Sequence, residues 1–174
     1  MPLLPRQRQL AYVRSRSAMT LGAGLLLSSL LHVRRDEDLI FTPQGKPFLA
    51  AGTAAFSLSH SYGHVLLGAS DGPIGVDMEK KDRHVTAAVQ NRICLPQEKA
   101  LDPLLVFTRK ECAMKLTGLG FSLPPKTIDT RLEYRWQDTV YRFFTIEQDG
   151  FVISVLSAEE ALPPIQRVTP EELL

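Results

Sequence analysis

Apolar positions recur along this chain at two different periods, and each period marks a different kind of element. Between Arg14 and Leu31, the leucines at 21, 25, 26 and 30 fall at helical spacing. Ser15 or Ser17 can cap the start, so a first long helix is predicted. Residues 40–53 carry Pro43, Gly45, Pro47 and Gly52 and read as extended and loop-like. Three short runs with strand character follow, Ala55–Ser59, His64–Ser70 and Ile74–Glu79. The turn Ser70-Asp71-Gly72-Pro73 predicts that the last two pair as a hairpin. Charges after Glu79 lead out of the sheet into a helical stretch near Val85–Ile93, and Pro96 opens a short helical piece with Glu98 in its first turn. Pro103 precedes a further helix with an apolar ridge at Leu105, Cys112, Leu116 and Leu119, and Gly118 or Gly120 stops it. The runs Arg131–Trp136, Val140–Ile146 and Phe151–Leu156 predict an antiparallel meander. From Ala161, adjacent prolines and alternating charge predict a tail that lies across the surface or frays. The pattern as a whole is α+β, in two halves without a linker, 1–73 and 74–174, forming one compact unit.

The strand at Ile74–Glu79 carries the most chemistry. Ile74, Val76 and Met78 point to one face and Asp77 and Glu79 to the other, with the two acidic Cα atoms about 7 Å apart. Two carboxylates side by side repel, and a hard cation makes the arrangement favourable. The later run Phe107-Thr108-Arg109-Lys110-Glu111-Cys112-Ala113-Met114-Lys115 supplies a third carboxylate with lysines beside it, so the two stretches together read as a magnesium and phosphate site. Plainer readings stand beside that one. Asp77 and Glu79 are also what a solvent-facing strand end would show, and Glu111 with Lys115 has the i, i+4 spacing of a surface ion pair. Ser59-His60-Ser61, at the end of a strand, adds hydrogen-bond donors suited to a phosphate ester. The four histidines lack zinc-ligand spacing.

Composition narrows the classes. A chain of 174 residues, 44% hydrophobic and 22% charged, can bury a sizeable core and is not disordered. Its net charge of +1 gives no general pull toward nucleic acid, although Arg6, Arg8, Arg14 and Arg16 form a basic cluster without acids. Cys94 and Cys112 are too few for a disulfide framework, and Cys112 reads as a packing residue. The apolar run from Leu21 to Leu31 is too short to span a bilayer and leads into charges rather than a small-residue cleavage site. It is expected to be a buried helix, in a cytoplasmic protein with no membrane partner.

Four motifs in order, Gly45-Lys46-Pro47, Phe56-Ser57-Leu58-Ser59-His60-Ser61, Ile74-Gly75-Val76-Asp77-Met78-Glu79, and Phe107-Thr108-Arg109-Lys110-Glu111 through Lys115 and Gly118, resemble the signatures of 4'-phosphopantetheinyl transferases. The likeness is to the larger, surfactin-synthetase-activating type of the holo-acyl-carrier-protein synthase superfamily. In the small trimeric type the acidic motif lies near the N-terminus, whereas here more than seventy residues precede Asp77. The resemblance implies two similar α+β halves related by a pseudo-twofold, with coenzyme A in the cleft between them. It implies that Asp77, Glu79 and Glu111 hold Mg²⁺ (or Mn²⁺), with Glu111 and Lys115 catalytic. Lys110 and Lys115 would contact phosphates, Lys46 would lie near the adenine, and Ser59 and His60 would sit against the nucleotide. Arg14 or Arg16 would reach the 3'-phosphate, since Ala18 stands where an Arg is expected. Ser57 stands where Asn is usual and Phe107 where Trp is usual.

The implied reaction moves 4'-phosphopantetheine from coenzyme A to a serine of an apo acyl or peptidyl carrier protein and releases 3',5'-ADP. The enzyme is expected to be a monomer, to bind no nucleic acid, and to serve fatty acid, polyketide or nonribosomal peptide assembly. An apolar patch of Val89, Ile93 and Leu95 beside Arg92 is the expected grip on the carrier. The alternatives are a magnesium-dependent phosphohydrolase and a catalytically degenerate protein that binds coenzyme A or a carrier.

Overall fold

The computed structural model describes residues 18–162 and 164–173. Helix α1 (Ala18–Leu30) buries Ala23 through Ser28 and leads into a core of Leu27, Val33, Leu39, Leu49 and Phe56. It is followed by two hairpins. Strands β1 (Leu39–Phe41) and β2 (Pro47–Leu49) pair across the Pro43–Gly45 turn, so the stretch read as extended loop is a short hairpin. Strands β3 (Ala55–Ser61) and β4 (His64–Ser70) pair in full register, from Ala55 opposite Ser70 to Ser61 opposite His64.

That pairing corrects the expected hairpin between His64–Ser70 and Ile74–Glu79. The chain reverses at Tyr62-Gly63, both at positive φ (45° and 80°), which is the backbone that a two-residue hairpin turn requires. With β4 already paired to β3, strand β5 (Gly75–Lys80) takes a distant partner. It runs antiparallel to β8 (Phe151–Ser157), with Asp77 opposite Ser154, in a four-stranded sheet ordered β5-β8-β7-β6. Strands β6 (Tyr134–Trp136), β7 (Thr139–Gln148) and β8 form the expected meander. Every residue of β8 is buried, as suits a central strand covered on both faces.

Helix α2 (Ala87–Ile93) is capped by Thr86, whose side chain accepts from the Val89 N–H. Helix α3 (Pro103–Thr117) starts at Asp102, whose carboxylate accepts from Leu104 and Leu105, and ends at Gly118 in the left-handed region (φ 72°). Its buried side includes Leu104, Val106, Cys112, Ala113 and Leu116, so the ridge begins at Leu104 rather than Leu105. Cys112, Ala113, Met114 and Leu116 pack with Ile128, Tyr141 and Leu156 in the second main core. A Cβ at Gly75 would collide with the main-chain carbonyl of Cys112, so only glycine lets β5 lie this close to α3. Behind β5, Ile74, Val76 and Val155 pack together, as do Met78, Phe151 and Ile153. The tail crosses the surface, with Ile165 against the Met78 cluster and Ser29 Oγ donating to the Leu173 carbonyl at 2.6 Å.

Candidate active site

Strand β5 presents its acids to α3 because alternate residues face opposite sides and the apolar set is taken up behind. Asp77 is therefore 4% exposed, not a solvent-facing strand end. Strand β3 flanks β5 and holds it through side chains. The three serines at alternate positions all reach across. Ser57 Oγ accepts from the Val76 N–H (3.1 Å), and Ser59 Oγ accepts from the Met78 N–H (3.2 Å) while donating to Asp77 Oδ1 (2.8 Å). Ser61 Oγ donates to Glu79 Oε2 at 2.9 Å. Ser59, one of the expected nucleotide contacts, thus orients the acid strand.

Helix α3 brings the opposite wall. Glu111 and Lys115 lie one turn apart on the same face. Lys115 does not turn to Glu111. Its ammonium donates to Asp77 Oδ1 at 2.7 Å and to the Val76 carbonyl at 3.1 Å. Together Leu58, Ser59, His60, Asp77, Glu79, Phe107, Glu111 and Lys115 line a cavity of about 300 Å³. Asp77 Oδ2 is buried and has no hydrogen-bond partner, which makes it the one such side-chain oxygen or nitrogen among the described residues. Burial, and then the nearby Asp77 carboxylate, raise the Glu111 pKa above its ordinary value; Lys115 and Arg83 oppose the shift.

These groups are suited to a hard cation. The donors are all carboxylate oxygens, one of them is buried bare, and a second carboxylate is held toward its protonated form by burial and then by its neighbour. No three His, Cys, Asp or Glu side chains among the described residues stand around one point. The cause is visible at Glu79. Its Oε2 is held by Ser61 and its Oε1 by the Arg83 guanidinium, which stacks on the Phe107 ring at 4.4 Å. The sequence reads Ser61 as a donor to a phosphate ester, not as a partner of Glu79, and Arg83 only as one of the charges leading out of the sheet. The period-two serines and an arginine four residues after Glu79 were the available signals.

Lys110 is a correction. Successive helix residues sit about 100° apart, so Lys110 leaves the Glu111 face. It is 1% exposed, donates to the carbonyls of Pro125 (3.0 Å) and Ile128 (2.8 Å), and pairs at 2.7 Å with Glu98, itself fully buried. It anchors the loop after α3 and lines neither of the cavities beside Glu111. Ile93 is a second correction, being 8% exposed and packed with Cys94 and Val106 rather than displayed to a carrier. Val89 and Arg92 remain exposed, and Leu95 is half-buried. Arg14 and Arg16 lie outside the described residues.

Lys46 lines an adjoining cavity of about 240 Å³ with Phe56, Leu58, Met114, Gly118 and Phe121; Glu111 and Lys115 border both cavities. Its ammonium donates to the Leu116 carbonyl at 2.7 Å, and burial pulls its pKa down to about 8. His60 is exposed at the edge of the acidic cavity.

Comparison with known proteins converges on the same stretch of chain. A family described as the 4'-phosphopantetheinyl transferase superfamily matches residues 73–160, just over half of the 174 residues, from the strand with Asp77 and Glu79 through α3 to the end of the meander. No curated protein sequence matches the chain. A match of that extent, over the elements that build the acidic cavity, establishes that the chain belongs to the 4'-phosphopantetheinyl transferase superfamily.

Proposed function

We propose that this protein transfers the 4'-phosphopantetheine group of coenzyme A to a serine of an apo carrier protein, in a magnesium-dependent reaction that releases 3',5'-ADP. The observation that carries the reading is the bare, buried Asp77 Oδ2 in a cavity shared with Glu79, Glu111 and Lys115. A buried carboxylate oxygen without a donor costs on the order of 1–3 kcal/mol or more, and a bound cation removes that cost. Asp77, Glu79 and Glu111 are the residues that would hold Mg²⁺, and Mn²⁺ offers the same preference for oxygen. The ion, when bound, neutralises charge on the diphosphate and on the displaced oxygen.

The chain's own residues supply the rest. Lys115 places an ammonium on the cavity wall, where it can meet phosphate oxygens, and Lys46, in the adjoining cavity, and His60, at the edge of the acidic one, would contact the nucleotide. Glu111 is the base for the incoming serine hydroxyl, since its burial and the Asp77 charge strengthen its hold on a proton. Displacement at phosphorus asks mainly for positioning and charge neutralisation, so no protein nucleophile is needed. The position of the acid strand in mid-chain supports the larger, surfactin-synthetase-activating type. It also supports a monomer whose two halves enclose the coenzyme A.

The test is direct. The protein is incubated with MgCl₂, coenzyme A and an apo carrier domain, and the carrier is weighed. A mass gain of one phosphopantetheine, abolished by EDTA and by Asp77→Asn, is expected. An unchanged carrier across acyl and peptidyl carrier domains, with the protein folded, overturns the reading.

A further inference from the structure

Glu79 is the member of the acidic cavity that is most visibly engaged elsewhere. One oxygen accepts from Ser61, and the other meets Arg83. The arginine is held in its turn. Its guanidinium lies over the Phe107 ring at 4.4 Å, so the charge is parked at the rim of the cavity and not left to wander through solvent. Phe107 lines the cavity itself, and the Arg83 charge also acts on Glu111. Glu79 is 13% exposed and Arg83 38%, which leaves the arginine a path into water once its partner is taken. The pair also accounts for why three carboxylates line one cavity without converging on a point.

We propose that Arg83 is the resident counter-ion of Glu79, and that a divalent cation enters the site by displacing the guanidinium from this carboxylate. The inference rests on the metal reading given under Proposed function. Arg83 and the ion compete for one carboxylate, so the arginine lowers intrinsic metal affinity while balancing the Glu79 charge, as Lys115 does for Asp77.

The experiment measures Mn²⁺ binding to the full-length, substrate-free protein by electron paramagnetic resonance of the unbound ion, with circular dichroism to verify folding. Arg83→Gln is expected to bind Mn²⁺ roughly fivefold more tightly, the factor that corresponds to about 1 kcal/mol of competing ion pair. Arg83→Lys keeps the charge and is expected to stay close to the parent affinity. In a Glu79→Gln background, Arg83→Gln is expected to lose most of its effect, which separates competition for Glu79 from general repulsion of the ion. Unchanged or weaker Mn²⁺ binding by folded Arg83→Gln overturns the inference, as does a full fivefold gain that persists without Glu79. Mn²⁺ binding indifferent to both Asp77→Asn and Glu79→Gln overturns the metal reading beneath it, a result distinct from the other two.

Discussion

Replacing Lys110 by Met separates a structural lysine from a phosphate-binding one, and its size follows from the surroundings. Lys110 is 1% exposed and Glu98 fully buried, joined at 2.7 Å. The ammonium also serves the Pro125 and Ile128 carbonyls, and Glu98 accepts from the Leu95 N–H, the Thr130 N–H and the Thr130 hydroxyl. Methionine fills nearly the same space, so packing is spared and the change is electrostatic. Removing one partner of a buried, hydrogen-bonded pair leaves the other charge stranded and costs about 3–5 kcal/mol. Against a total stability of about 5–15 kcal/mol, that loss is large. At about 2–4 °C per kcal/mol for a domain of this size, the melting temperature should fall by roughly 6–20 °C. Adding Glu98→Gln removes the stranded charge while keeping an acceptor for Thr130, and should recover part of the loss.

The assay is urea and thermal unfolding of the single and double variants, together with coenzyme A titration well below the melting point. Burial works to raise the Glu98 pKa, but the hydrogen bonds from Leu95, Lys110 and Thr130 outweigh it and hold the carboxyl below its ordinary 4.5. The pair's contribution is therefore present above that value and lost as acid titrates the folded carboxylate. A Lys110→Met protein that melts with the parent yet no longer binds coenzyme A would refute the structural role and restore the lysine to the phosphates.

Three further outcomes follow from the geometry. Gly75→Ala forces a Cβ against the Cys112 carbonyl and should separate β5 from α3, lowering stability by at least 1–3 kcal/mol, roughly the cost of core overpacking, by urea denaturation; a fully stable variant would show that the approach is not tight. Glu111→Gln should abolish transfer while raising the melting temperature of protein stripped with EDTA at pH 7.5. The folded Glu111 pKa is raised, so the folded state binds the extra proton just above 4.5 and stability falls as pH climbs through the folded value; the gain should vanish near pH 4, and no gain at pH 7.5 contradicts the assignment. Ser59→Ala strips a donor from Asp77 and an acceptor from the Met78 N–H, so it should cost about 1–3 kcal/mol by chemical denaturation and weaken Mn²⁺ binding; a nucleotide contact alone would leave metal affinity and stability in place.

The sequence by itself determined most of the elements and which charged side chains share a face. Period-two alternation placed Asp77 and Glu79 on one face of a strand, the i, i+4 spacing put Glu111 and Lys115 on one face of a helix, and the Gly118 stop and the meander turns were readable from local backbone preference. These properties depend on neighbours within a few residues. What the tertiary structure alone decided is which groups met across long separations. It gave β5 to β8 instead of β4 and sent Lys115 to Asp77 instead of Glu111. It buried Lys110 on Glu98 and Ile93 against Val106, and set Arg83 on Glu79 and Phe107. Lys110 shows the reason. It follows Val106 by one helical turn and precedes Ala113 by nearly another, on a stripe that is apolar except for itself, and a lone cation there reads as exposed until a buried Glu98 arrives from another segment to meet it. A charge's partner is fixed by the packing of distant elements, and local pattern carries no term for it.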